Sequence, residues 1–299
     1  MKKTLLIVST VTLFIAACSS APDSSKDDLI NVSVSVLPQK YFVERIGGNL
    51  VTVNVMVGPG DSPHTYEPKA GQMKALSRAD IYFAIGVEFE NAWMDRIASA
   101  NSNMVIVDLR EQLELLPLTD IHRVEGNARN EEEPDHTQEE TDPHVWTSPE
   151  MVADISREIA DQLVKVDPDN EAVYEENLNL FLLDIQDLQK GIQNTLSKAE
   201  NRKFLVFHPA WSYFAREFDL IQIPIEIGGT EPSPAELIEL IDEAKAENIK
   251  VLFAQPEFST QTAQYIANEI NGEVVLVSPL AENWLENLRE ISAKIESAL

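Results

Sequence analysis

The chain has 299 residues, of which 50 are acidic and 23 are basic, and its formal charge at neutral pH is −27. This charge should repel the phosphates of nucleic acids and the headgroups of anionic lipids, which leaves cations as the natural ligands. We therefore expect no nucleic-acid partner. The chain contains a single cysteine, Cys18, which excludes an intrachain disulfide.

The N-terminus has the form of a lipoprotein signal. Two lysines precede an apolar run over 5–17, and Cys18 follows directly. The run is short for a membrane-spanning helix, which favours a cleaved signal peptide over 1–17 rather than an uncleaved anchor. Lipid on Cys18 would hold the protein on the extracytoplasmic side of a membrane, through a flexible tether over 18–28. The 282 residues that remain of 299 are enough for two lobes with cores of their own.

The first part of the mature chain alternates predicted strands and helices. The strands are predicted at 30–37, 51–57, 81–86 and 104–107. The helices are predicted at 38–48, 68–79 and 91–100. Continuous apolar runs of this kind are typical of parallel strands covered on both faces. We therefore predict an N-terminal α/β lobe over 29–167.

An acidic segment at 126–140 interrupts this lobe. It has no aliphatic branched or aromatic residue to bury, so we predict a mobile surface loop. His136 lies within it. Two interpretations stay open for this histidine, an incidental residue in a solvated charge run and part of a weak cation-collecting arm.

A long amphipathic helix is predicted after a shorter one that begins near Ser148. Its apolar residues recur in steps of four and three, at Tyr174, Leu178, Phe181, Ile185, Leu188 and Ile192. The pattern indicates a helix of roughly 30 residues and about 45 Å, placed at 168–200. A helix of this length can span two lobes, and a coiled-coil partner is the less favoured alternative.

The remaining residues, 201–299, are predicted to form a second α/β lobe. Its strands are predicted at 204–207, 221–227, 250–254 and 273–277. Its helices are predicted at 210–218, 234–247, 260–271 and 282–297. His208 would stand where the first of these strands gives way to a helix, at the edge of the sheet where open α/β sheets bind ligands.

Three of the five histidines lie beside proline at predicted loop or strand ends: His64, His144 and His208. Proline stiffens the backbone on either side, and rigid imidazoles are suited to a preformed metal site. Neutral imidazole favours Zn²⁺ and also suits other first-row divalent ions. A lone histidine near a strand end is more often a hydrogen-bonded structural residue, and His122 and His136 lie in polar sequence without such a pattern.

Several motifs occur in a characteristic order along the chain. They are GPGDSPHTYEP after the second strand, DPHVW after the acidic insertion, FHPAWSYFAREF after the long helix, and GGTEPSPAEL. Together with the lipoprotein signal, they resemble the zinc and manganese solute-binding proteins of ABC importers, the ZnuA-like family of cluster A-I. The resemblance covers nearly the whole mature chain. It implies two Rossmann-like lobes with parallel sheets, joined by one rigid helix, with a metal held in the cleft between them.

The resemblance also implies site residues. His64 and His144 of the first lobe and His208 of the second match the family's metal-binding histidines. Trp146 and Trp211 would pack near them. The family's zinc members often carry a histidine-rich insertion, where this chain has acidic residues and one histidine.

The chain departs from the family near its C-terminus. The family usually has an aspartate before Pro-Leu that serves as a fourth ligand, and this chain has Ser278 there. Water could complete the site, or a carboxylate from elsewhere, with Glu67 and Glu231 as unranked candidates. Since Mn²⁺ gains most from carboxylate oxygens, the missing aspartate favours Zn²⁺, with Mn²⁺ as the alternative metal.

These observations favour a receptor that is not an enzyme. It would capture Zn²⁺ outside the cell membrane and deliver it to an ABC permease and its ATPase subunit, acting as a monomer. A binding protein for Mn²⁺ or Fe²⁺ in the same importer family is the first alternative. A zinc-dependent hydrolase is a second, since three histidines and water also describe catalytic zinc, and a surface adhesin is a third.

Overall fold

A computed structural model describes residues 29–118, 141–226, 230, 232–257 and 260–299. Within them the chain forms two four-stranded parallel sheets flanked by helices, which confirms the predicted two-lobe α/β fold. The predicted signal peptide and tether with Cys18 lie outside the described residues. The acidic segment 126–140 with His136 also lies outside them, as do His122 and Glu231.

The first sheet has the strand order β2-β1-β3-β4. Its strands are Ile30–Val34 (β1), Val51–Val55 (β2), Ile81–Ala84 (β3) and Val105–Asp108 (β4). Successive strands are connected through the helices Leu37–Gly47 (α1), Ala70–Leu76 (α2) and Glu88–Ala100 (α3). Every residue of β3 is buried, as expected for a parallel strand with helices on both faces.

The second sheet repeats this order as β6-β5-β7-β8. Its strands are Lys203–Val206 (β5), Ile221–Pro224 (β6), Val251–Ala254 (β7) and Glu273–Leu276 (β8). The helices between them are Ser212–Glu217 (α6), Pro234–Ala246 (α7) and Gln261–Glu269 (α8). In both sheets the strand order changes direction next to the first strand, and ligands of open α/β sheets bind at the carboxyl ends beside such a point.

In the described ranges, three further α-helices lie outside the strand connections: Pro149–Val166, Glu171–Leu196 and Trp284–Ala298, here α4, α5 and α9. Ser148 caps α4 by accepting a hydrogen bond from the Met151 amide at 3.2 Å. The long helix α5 has 26 residues, or about 39 Å, and packs against α1, α4 and α9. Its buried stripe consists of Tyr174, Phe181, Ile185, Leu188, Ile192 and Leu196.

One apolar core runs through both lobes. It contains the strands of the first sheet, the stripe of α5, and Trp284 of α9, whose ring lies 5.2 Å from that of Phe42 in α1. Strand β5 contributes Phe204 to this core and Leu205 to a second, smaller one beneath α7 and α8. Alternate residues of a strand point to opposite faces, so β5 joins the two cores.

Hydrogen bonds also connect the lobes around the segment that precedes α4. The indole nitrogen of Trp146 donates to the Pro279 carbonyl at 2.9 Å, and that of Trp284 donates to the Trp146 carbonyl at 2.7 Å. The Tyr213 hydroxyl donates to the Asp142 carbonyl at 2.8 Å. Residues 142–146 are therefore held against the second lobe.

The predicted strands are all present and differ from the observed ones mainly at their ends. The long helix is shorter than the predicted range 168–200 at both ends. It begins at Glu171, because Pro168–Asn170 forms a separate 3₁₀ turn, and it ends at Leu196. In the described ranges, no helix combines the length and the apolar character needed to cross a membrane.

Candidate metal centre

Three histidines that are distant in the sequence meet between the lobes. His64 lies in the loop after β2, His144 directly precedes the 3₁₀ turn Val145–Thr147, and His208 follows β5. The ring centre of His208 is 4.7 Å from that of His64 and 5.2 Å from that of His144. The structure therefore brings together the three residues that the resemblance selected.

The three imidazoles line a cavity of about 20 Å³. This volume exceeds the roughly 10–15 Å³ that one water needs and suits a single ion. Side-chain exposure falls from 27% at His64 to 12% at His144 and 9% at His208, so the cavity has a mouth near His64 and a floor at His208.

The rings lie edge to face, with interplanar angles of 81° and 73° around His208. Across the described part of the chain, no three His, Cys, Asp or Glu side chains are already arranged to hold an ion.

A carboxylate contacts Nδ1 of each histidine. His144 pairs with Asp142 and His208 pairs with Glu226, both at 2.7 Å, and His64 pairs with Glu88. An ionised carboxylate only accepts hydrogen bonds, so Nδ1 is the protonated nitrogen in each pair. Nε2 is then the unprotonated nitrogen, whose lone pair can bind a metal, an arrangement common among metal-binding histidines.

Local backbone structure explains how His144 is positioned. Asp142 Oδ1 accepts a hydrogen bond from the His144 amide at 2.9 Å as well as contacting its ring. The buried indole of Trp146 lies 5.3 Å from the same ring. The motif DPHVW thus supplies the ligand, the carboxylate that orients it and one wall of the cavity.

Burial and the neighbouring charges shift the pKa values of two groups at the site, His208 and Glu88. Burial lowers the pKa of His208 below its usual 6.5, although Glu226 acts to raise it, so this imidazole stays neutral at pH 7. Burial acts to raise the pKa of Glu88, but the hydrogen bond with His64 and the other two imidazoles bring it below 4.5. A neutral imidazole and an ionised carboxylate are the forms that bind metal.

Sequence reasoning missed most of the carboxylates. Glu88 follows the end of β3, Glu226 follows β6, and Glu257 follows β7, so all three lie at carboxyl ends of strands. Because β6 and β7 both pair with β5, Glu226 can pair with His208 and Glu257 can line the same cavity. The signal was present in the predicted strand ends, but their neighbours in the sheet were unknown.

The proposed fourth-ligand residues have different locations. Glu67 is exposed and is not among the residues that line the cavity, and Glu231 lies outside the described residues. The Ser278 hydroxyl donates to Glu257 Oε1 at 2.6 Å, and Glu257 itself lines the cavity. Of the two tryptophans, Trp146 lines the cavity, whereas Trp211 packs in the core beside Phe214.

A family model described as "ZnuA: Zinc-uptake complex component A periplasmic" matches residues 32–298. A crystal structure of a ZnuA protein has 41% identity and a TM-score of 0.82 with this chain, and the match covers 91% of this chain and 99% of that one. The match therefore extends over both lobes and the long helix.

Curated relatives agree with this family. The high-affinity zinc uptake system protein ZnuA of Bacillus subtilis is 30% identical, over 92% of this chain and 88% of that protein. The zinc-binding lipoprotein AdcA of Streptococcus pneumoniae is 29% identical over 98% of this chain, which spans only 57% of AdcA. The manganese-binding lipoprotein MntA of Halalkalibacterium halodurans is 27% identical, over 90% of this chain and 87% of that protein. The chain belongs to the ZnuA family of metal solute-binding receptors, which are not enzymes.

Proposed function

We propose that this protein captures Zn²⁺ outside the cell membrane and delivers it to the permease of an ABC importer. The observation that supports this proposal best is the convergence of His64, His144 and His208 on one ion-sized cavity, each with a carboxylate at Nδ1. Their Nε2 atoms would be the ligands, and the ion is cargo rather than a cofactor.

The choice of zinc rests on the donor set. Three neutral imidazoles suit Zn²⁺ better than Mn²⁺, which prefers oxygen ligands. The presence of Ser278 in place of the family's aspartate does not decide between the two metals, because Glu88 and Glu257 still bring carboxylate oxygens to the cavity. Relatives named for zinc and for manganese both match, so manganese is the competing cargo.

Equilibrium titration of the purified, metal-free protein tests the proposal. We expect one Zn²⁺ per chain, held more tightly than Mn²⁺ in direct competition, and a loss of binding in His208→Ala. His136→Ala is the matched control, because it removes a histidine from the acidic segment and should leave the affinity unchanged. Unchanged affinity in His208→Ala would refute the site, and a preference for Mn²⁺ would refute the choice of metal.

The cellular setting completes the proposal. Lipid on Cys18 would keep the receptor, as a monomer, at the outer face of a membrane, close to the permease and ATPase subunits. Cell fractionation tests the anchor, since Cys18→Ser should move the protein from the membrane to the soluble fraction. Retention of that variant on the membrane would contradict lipidation at Cys18.

A further inference from the structure

Glu257 has an unusual environment for a carboxylate. It follows β7 and lines the same cavity as the three histidines. Its Oε1 accepts a hydrogen bond from the Ser278 hydroxyl at 2.6 Å. Its Oε2 is buried, and no group among the described residues donates a hydrogen bond to it.

This arrangement is costly unless a cation binds. A buried polar atom without a partner carries a desolvation penalty, and a charged atom carries a larger one. A divalent ion held by the neutral imidazoles would place a positive charge next to Oε2 and offset this penalty. Carboxylate oxygens are normal ligands of zinc, at distances of about 2.0–2.2 Å.

The other oxygens at the cavity fit this role less well. Glu88 is already paired with His64, and its side chain is 55% exposed at the mouth. The Gln255 carbonyl oxygen is buried like Oε2 of Glu257, but it belongs to a neutral amide whose nitrogen donates to the His208 carbonyl at 3.0 Å. Oδ2 of Asp142 is also buried without a hydrogen-bond partner among the described residues, but Asp142 does not line the cavity. Of the two carboxylates that line the cavity, Glu257 is therefore the one with a buried oxygen that accepts no hydrogen bond from the described residues.

Ser278 holds Glu257 in place. Its Oγ accepts a hydrogen bond from the Leu280 amide at 3.1 Å while donating to Glu257. Its carbonyl accepts a hydrogen bond from the Asn287 side chain at 2.9 Å, which attaches it to α9. The two hydrogen bonds therefore fix the hydroxyl in one orientation. Ser278 orients the Glu257 carboxylate and does not take its place as a ligand.

We propose that Glu257 is the fourth ligand of the captured metal and that Ser278 is its positioning residue. The carboxylate that Ser278 cannot provide at its own position would come from the end of the neighbouring strand β7, which pairs with β8 just before Ser278. This inference rests on the proposed metal-receptor function and names a further residue of that site.

Glu257→Gln tests the proposal, because it removes the charge with little change in shape. We expect the Zn²⁺ affinity to fall by about tenfold or more, and the visible spectrum of the Co²⁺-loaded protein to change with the coordination. Glu67→Gln is the matched control, an exposed glutamate away from the cavity, and should keep both the affinity and the spectrum. Circular dichroism and thermal unfolding of the metal-free variants would verify that each is folded.

Ser278 is tested in the same way. Ser278→Ala should weaken binding and alter the Co²⁺ spectrum, whereas Ser278→Thr, which keeps the hydroxyl, should restore both. When Ser278→Ala is combined with Glu257→Gln, the Zn²⁺ affinity should fall little further, because the carboxylate that Ser278 positions is already gone.

The outcomes separate this inference from the proposed function. An affinity in Glu257→Gln within about twofold of the parent, with an unchanged Co²⁺ spectrum and with binding lost in His208→Ala, would overturn the role of Glu257 alone. Parent-like binding in His208→Ala would overturn both proposals. Loss of affinity in Glu257→Gln, with binding kept in Glu67→Gln, supports Glu257 as a ligand.

Discussion

At the scale of single residues, pairs of imidazole and carboxylate define the centre. A carboxylate at Nδ1 fixes the tautomer and the orientation of a ligating histidine and makes it more basic. Asp142 is fully buried and contacts both the ring and the backbone amide of His144. Asp142 therefore orients a ligand, and its substitution should lower the metal affinity more than the stability of the fold.

We expect Asp142→Asn to weaken Zn²⁺ binding by about 10–100-fold, because an amide holds the imidazole less firmly than a carboxylate does. Competition with a chelator of known affinity would measure the change. Asp154→Asn, at a surface position that is 57% exposed, is the control and should bind like the parent protein. Equal affinities in the two variants would mean that Asp142 has a structural role only.

At the scale of secondary-structure elements, one carboxylate ties three helices together behind the site. Glu217 at the end of α6 accepts hydrogen bonds from the Ser148 hydroxyl, from the Glu150 amide at 3.1 Å and from the Gln189 side chain at 2.8 Å. The first two donors belong to the start of α4 and the third to α5. Burial raises the pKa of Glu217 above 4.5, although these hydrogen bonds act to lower it.

This raised pKa predicts a pH dependence of stability. The folded protein binds the Glu217 proton more tightly than the unfolded chain does, so the stability from protonation is fully present below about pH 4.5 and is lost as the pH rises through the raised pKa. The free energy of unfolding of the parent should therefore fall, relative to Glu217→Gln, as the pH rises from about 4.5 to 7.

Chemical denaturation at several pH values would measure this difference. Glu286→Gln, at a position of α9 that is 55% exposed, is the control and should show a much smaller relative change. A difference between the parent and Glu217→Gln that stays constant, or grows with pH, would contradict the raised pKa.

At the scale of the whole molecule, the shared core couples the lobes. Apolar residues of the first sheet, of α5 and of β5 belong to one cluster, and Trp284 of α9 packs against α1 and α5. Unfolding one lobe alone would expose part of the other lobe's core. The lobes should therefore lose their structure together.

We expect calorimetry of the metal-free protein to show one unfolding transition. Saturating Zn²⁺ should move it upward, because a ligand at 100 times its Kd stabilises the folded state by about 2.7 kcal/mol. His208→Ala should show the same single transition without the zinc shift. Two resolved transitions in the parent would contradict the shared core.

The sequence by itself determined the strands, the long helix and the three histidines. Strands and helices follow from local periodicity, and the histidines stand beside prolines in motifs that resemble one family. The motif DPHVW even contained Asp142. None of these inferences required knowledge of which strands are neighbours.

Only the tertiary structure decided which carboxylates belong to the site. The sequence holds 50 acidic residues, and nothing local distinguishes Glu226 or Glu257 from the rest. Glu226 pairs with His208, and Glu257 lines the same cavity. Both lie there because β6 and β7 pair with β5 and parallel strands bring their carboxyl ends to one edge. The physical reason is that strand pairing, which places these charges, depends on contacts between distant segments, whereas the periodicity that predicts a strand is local.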